Sequence, residues 1–72
     1  MGYEVKFIRD KMKISLYKDG DVIISVNLFE EDIRRGIKDS DIEFLIRLFN
    51  SQVDELDISL DDKEYIKRKV RI

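Results

Sequence analysis

Met12-Lys13-Ile14-Ser15-Leu16-Tyr17-Lys18-Asp19-Gly20-Asp21-Val22-Ile23-Ile24-Ser25-Val26-Asn27-Leu28 is the stretch on which the fold depends. Apolar residues recur at every second position on both sides of Asp19-Gly20, the period of a strand with one buried face. A strand over about 12–18 directs Met12, Ile14 and Leu16 to the core. A second over about 22–28 contributes Val22, Ile24, Val26 and Leu28. Pairing must bring both apolar sets to one face, because a slip of one residue sends a whole set to solvent. A two-residue Asp19-Gly20 loop would set Leu16 against Ile23. A three-residue Lys18-Asp19-Gly20 loop pairs Leu16 with Val22, Ile14 with Ile24 and Met12 with Val26, with Gly20 left-handed in a bulged turn. The expected hairpin is therefore the three-residue form.

Working outward, residues 3–9 alternate in the same way, with Val5 and Phe7 facing one side and Glu4, Lys6 and Ile8 the other. A two-residue Asp10-Lys11 loop pairs Phe7 with Ile14 and Val5 with Leu16. Downstream, Glu30, Glu31 and Asp32 precede Arg34, Arg35 and Gly36, the charge order and terminator of a short helix over about 29–35, with Phe29 and Ile33 toward the core. Residues 41–54 form the strongest helix, capped by Asp39 or Ser40, with Ile42, Leu45, Ile46, Phe49 and Val53 along one stripe to cover the sheet. Ser59 followed by Asp61, Asp62 and Glu64, with Lys67, Arg68, Lys69 and Arg71 at the far end, reads as a helix over about 60–70 packing Ile66 and Val70. A strand over 65–72 is the rival reading. The expected fold class is α+β, a three-stranded antiparallel meander packed on one long amphipathic helix, with a short helix and a C-terminal helix, in the order βββααα.

The whole chain of 72 residues allows one small domain, 1–72, which buries only about 60% of its unfolded surface. Apolar runs stop at two or three residues, as in Val22-Ile23-Ile24, far below the roughly 20 of a membrane span. No membrane contact is expected. The opening Met1-Gly2-Tyr3-Glu4-Val5-Lys6 lacks a secretory pattern, and Lys6 stands where a myristoylation motif wants Ser or Thr. With no cysteine either, the expected location is cytoplasmic. The absence of Ala and Thr beside 11 Ile and 8 Lys fits an AT-rich genome.

With neither His nor Cys, imidazole bases, thiol nucleophiles and nitrogen or sulfur metal ligands are all excluded. Gly2, Gly20 and Gly36 are too far apart for a phosphate-cradling loop. Asp39, Asp41 and Glu43 have the spacing that opens a calcium loop, but Phe44 stands where that loop needs Gly, and Asn50 where it needs Glu. No acid pair sits in apolar sequence that would suit it to carboxylate catalysis. The chain is expected to be no enzyme and to carry no cofactor and no metal.

Charge is sorted along the chain. Residues 1–20 carry 5 bases and 3 acids, residues 21–62 carry 4 and 12, and residues 63–72 carry 5 and 1. The net −2 thus hides an acidic middle between two basic ends. Acids in helix first turns are stabilising on their own. The functional reading is an electronegative surface of Glu30, Glu31, Asp32, Asp39, Asp41, Glu43, Asp54, Glu55 and Asp57 that imitates nucleic acid and docks on a larger protein with a basic groove. Phe44 and Leu48 fall off the main helical stripe, and Tyr17 and Ile23 lie on the outward sheet face. These four form the candidate apolar interface, for a partner or a homodimer. In size and charge layout the chain resembles small phage-encoded antagonists of host defence, anti-CRISPR proteins among them, a likeness of class carried by no motif. It implies a small inhibitor that blocks a basic site on a nucleic-acid-handling protein.

The alternative is a nucleic-acid-binding domain using Arg9, Lys11, Lys13, Lys18 and the basic tail. Small integrase-type arm domains are similar in strand order and place such a sheet in the major groove. The outward face here has few bases, and its stacking set is Tyr17 alone.

Overall fold

A computed structural model describes residues 2–70. Three strands, β1 (Tyr3–Ile8), β2 (Lys13–Lys18) and β3 (Asp21–Asn27), form an antiparallel sheet in the order β1-β2-β3. Three helices follow: α1 (Glu30–Arg34), α2 (Asp39–Asp54) and α3 (Leu60–Lys69). The architecture is the α+β, βββααα arrangement expected. α2 packs over β3 and β2, and α3 lies over β1 and beside α2.

The first hairpin has the expected register, with Phe7 opposite Ile14 and Val5 opposite Leu16. Its connection is longer than two residues. Arg9–Lys11 form a 3-10 turn, and Met12 closes it in the left-handed region (φ 45, ψ 59), its N–H donating to the Arg9 carbonyl at 3.1 Å. The Met12 side chain is nevertheless buried, and its carbonyl accepts from the Leu28 N–H, tying the ends of the sheet together.

The second hairpin differs from the expected three-residue form. Asp19 (φ 52) and Gly20 (φ 88) both have positive φ, as a two-residue type I′ turn requires. The pairs are Lys18 with Asp21 and Tyr17 with Val22, then Leu16 with Ile24 and Ile14 with Val26. Ile23 is an extra residue without a partner, a β-bulge that repairs the parity a two-residue loop would otherwise spoil. Val22 consequently shares the outward side with Tyr17 and is 53% exposed, a correction to its expected core position.

The core consists of Met12, Ile14, Leu16, Ile24, Val26 and Leu28 from the sheet side, with Leu45, Phe49, Val53 and Ile66 from α2 and α3. Ile42 and Ile46 pack against it, completing the expected α2 stripe. Each fully buried apolar side chain contributes about 1.5–3 kcal/mol. Helix starts were less legible. Lys38, in an extended conformation, is the N-cap of α2, in place of Asp39 or Ser40. Its N–H donates to Asp41 Oδ2 at 3.0 Å, so the acid at the third helical position satisfies the backbone. Phe29 is the extended N-cap of α1, and its side chain is 80% exposed, contrary to the inward placement expected. Only Ile33 of that five-residue helix reaches the core. For α3, Ser59 caps as expected by accepting from the Asp62 N–H, and Leu60–Lys69 are helical where a strand was the rival. Residues 71–72, including Arg71, lie outside the described residues. No helix among the described residues is long and apolar enough to cross a membrane.

Candidate functional site

Folding separates charge by layer. Residues 1–28, which build the sheet, hold five bases and four acids, whereas residues 29–70, which build the helices, hold eight bases and twelve acids. The carboxylates therefore gather on the helical side, and the outward sheet face is spared most of them.

The nine acids expected to act together do not form one continuous patch. Glu30, Glu31 and Asp32 belong to α1, next to the start of α2 with Asp39, Asp41 and Glu43. Asp54, Glu55 and Asp57 lie at the far end of α2. Asp39 and Glu55 are about 24 Å apart along the helix axis at 1.5 Å per residue. Several acids are occupied. Arg34 pairs with Glu30 at 3.8 Å, Arg35 pairs with Asp32, and Asp41 accepts from the Lys38 backbone. Lys67 Nζ reaches Asp54 Oδ1 at 2.5 Å while Lys63 Nζ donates to the Asp54 carbonyl at 2.8 Å, so part of the basic tail is spent on the acidic middle. Among the described residues, Glu31, Asp39, Glu43, Glu55 and Asp57 are exposed carboxylates without an ion-pair partner.

Of the four candidate interface apolars, Phe44 is 59% exposed and Ile23 41% exposed. Leu48 is half-buried and packs against the core, which removes it as a free contact. Tyr17 is also half-buried, with Lys6 Nζ 5.0 Å from its ring centroid, so that ring face is already taken. Phe44 lies on the solvent side of α2 between the two acid groups. Being eleven residues before Glu55, it falls within about 20° of it around the helix, so the aromatic and the carboxylate share one stripe. A sequence reading could not separate Phe44 from Leu48, because both lie off the main stripe. Only the roll of α2 on the sheet decides which one is covered.

The bases of the alternative reading are divided as well. Lys11 and Lys13 line an open cleft of about 610 Å³ with Arg34, Asn27, Leu28 and Ile33, but Asp10 and Glu30 line it too. Lys18 stands at the opposite end of β2 over the Tyr3 ring, and Lys69 lies over Tyr65. Among the described residues no group of three acids is placed to hold a metal ion. No protein-family model, curated protein or solved structure matches this chain.

Proposed function

We propose that this chain is a non-enzymatic protein-binding module whose helical layer docks on a basic surface of a larger protein. The observation that carries this reading is the outer face of α2, an exposed aromatic with unpaired carboxylates toward both ends of the helix. Interfaces draw their energy from a few desolvated aromatic anchors, and a charged rim supplies steering and register. Phe44 suits the first role, and Glu43, Glu55, Glu31, Asp39 and Asp57 suit the second. The spread of about 24 Å between acid groups calls for a broad basic groove rather than a single cation. Nucleic-acid-handling proteins have such grooves, and an occupant of one acts as an inhibitor, in the manner of phage-encoded antagonists such as anti-CRISPR proteins.

The test compares tagged wild type with Phe44→Ala and with Glu43→Lys/Glu55→Lys. The binding partner should be lost from both variants while thermal unfolding stays close to wild type. Undiminished capture by either variant contradicts the reading. The cleft bounded by Lys11, Lys13 and Arg34 favours a second reading, phosphate contact by the sheet end. It requires affinity for nucleic acid that falls with salt, and an absence of salt dependence removes it.

A further inference from the structure

The free edge of β3 is a surface the acidic face does not explain. β3 is a border strand of the sheet, and outside its ladder with β2 the backbone of residues 21–27 makes no hydrogen bond to other backbone among the described residues. Sheet edges are ordinarily protected by lysines, prolines, inward charges, bulges or a covering element. Val22-Ile23-Ile24-Ser25-Val26-Asn27 contains no charge, proline or glycine, and four of its six residues are β-branched. α2 packs over the core-facing side of β3, and the bulge at Ile23 leaves residues 24–27 regular with their outer backbone groups open. The opposite border, β1, carries Glu4 and Lys6 and has α3 packed over it. Each border thus has a helix over its core-facing side, and what residues 22–27 of β3 lack is the charge carried by β1.

We infer that β3 pairs with β3 of a second copy, antiparallel about a twofold axis, joining two sheets into one of six strands. The strand is self-complementary. Parity admits only registers that keep core-facing residues opposite core-facing residues. Centring the axis on Ser25 sets Ile24 against Val26, Ser25 against Ser25 and Ile23 against Asn27. Asp21 falls outside this pairing, so no like charges oppose one another within the strands. The exposed side chain of Ile23 gains a neighbour, and the open backbone groups gain partners. An axis normal to the sheet places both acidic helical layers on the same side, so this association tightens as salt rises. Docking of the acidic face on a basic partner weakens with salt, which keeps the two proposals separable.

Sedimentation equilibrium of the full chain, from low to high salt, reads the association directly. Ser25→Cys adds a register test, because the chain has no other cysteine. Directly opposed residues lie about 4.5–5.5 Å apart between Cα atoms, inside the range a disulfide spans. The expected result is a reversible dimer that tightens with salt, rapid oxidative cross-linking of Ser25→Cys, and none for Lys6→Cys on β1. Ser25→Lys, which sets two ammonium groups opposite each other, should weaken the dimer by about fivefold or more. A chain monomeric at every concentration overturns the inference, as does Ser25→Cys linking no faster than Lys6→Cys. A monomer that instead accepts an unrelated extended peptide along β3 also overturns it.

Discussion

At the scale of single residues, backbone conformation accounts for most departures from the sequence reading. Asp19 and Gly20 adopt positive φ, which costs a residue with a Cβ about 1–2 kcal/mol. No heavy atom lies within 4 Å of a Cβ built at Gly20, so the penalty there is purely conformational. Gly20→Ala should lower unfolding free energy by about 1 kcal/mol in urea titration, whereas Asp19→Asn, an equally favoured type I′ residue, should leave it within about 0.5 kcal/mol. The two phenylalanines of α2 make the opposite comparison. Phe49, fully buried, should cost about 3–5 kcal/mol when replaced by Ala, and Phe44, mostly exposed, no more than about 0.5 kcal/mol. A Phe44→Ala loss comparable to that of Phe49→Ala would mean that Phe44 is a core residue. Phe29 and Lys38 show why helix starts resist sequence reading. Both are extended N-cap residues, so helical spacing does not govern their side chains, and a carboxylate at the third helical position can replace a capping side chain.

At the scale of elements, alternation and amphipathic spacing were legible because each strand and helix has only one face to bury. β1, β2, α2 and α3 could be placed to within one or two residues, and the first hairpin's register followed from parity. Parity misled at the second hairpin. A single bulge residue changes it, and nothing in Val22-Ile23-Ile24, three consecutive β-branched apolars, shows which residue is the extra one. Deleting Ile23 should therefore preserve every cross-strand pair and give a folded protein by amide dispersion in NMR. Deleting Ser15 from the central strand should unfold it, since β2 has no unpaired residue to lose. Equal tolerance of both deletions would refute the bulge assignment. Between helices, the Lys67–Asp54 pair is partly exposed on both sides, and a double-mutant cycle should find coupling below about 1 kcal/mol. The pair orients α3 on the end of α2 more than it stabilises the fold.

For the whole molecule, the sequence disclosed that charge is sorted but not how the sorting maps onto shape. The acidic middle proved to be two groups at opposite ends of α2, because helix length rather than residue number sets their separation. The basic tail is partly consumed internally, a pairing across α2 and α3 that depends on how the two helices pack. What remains for the proposed docking is an acidic helical layer with an exposed aromatic between its two acid groups, backed by a sheet whose own charges nearly balance. The most direct measurement is affinity purification of nuclease-treated lysate with tagged wild type beside Glu43→Lys/Glu55→Lys, each washed at low and high salt. The account predicts one stoichiometric protein partner, retained by wild type at low salt, released at high salt and absent from the charge-reversed variant. A partner held equally by both proteins, or insensitive to salt, would contradict it.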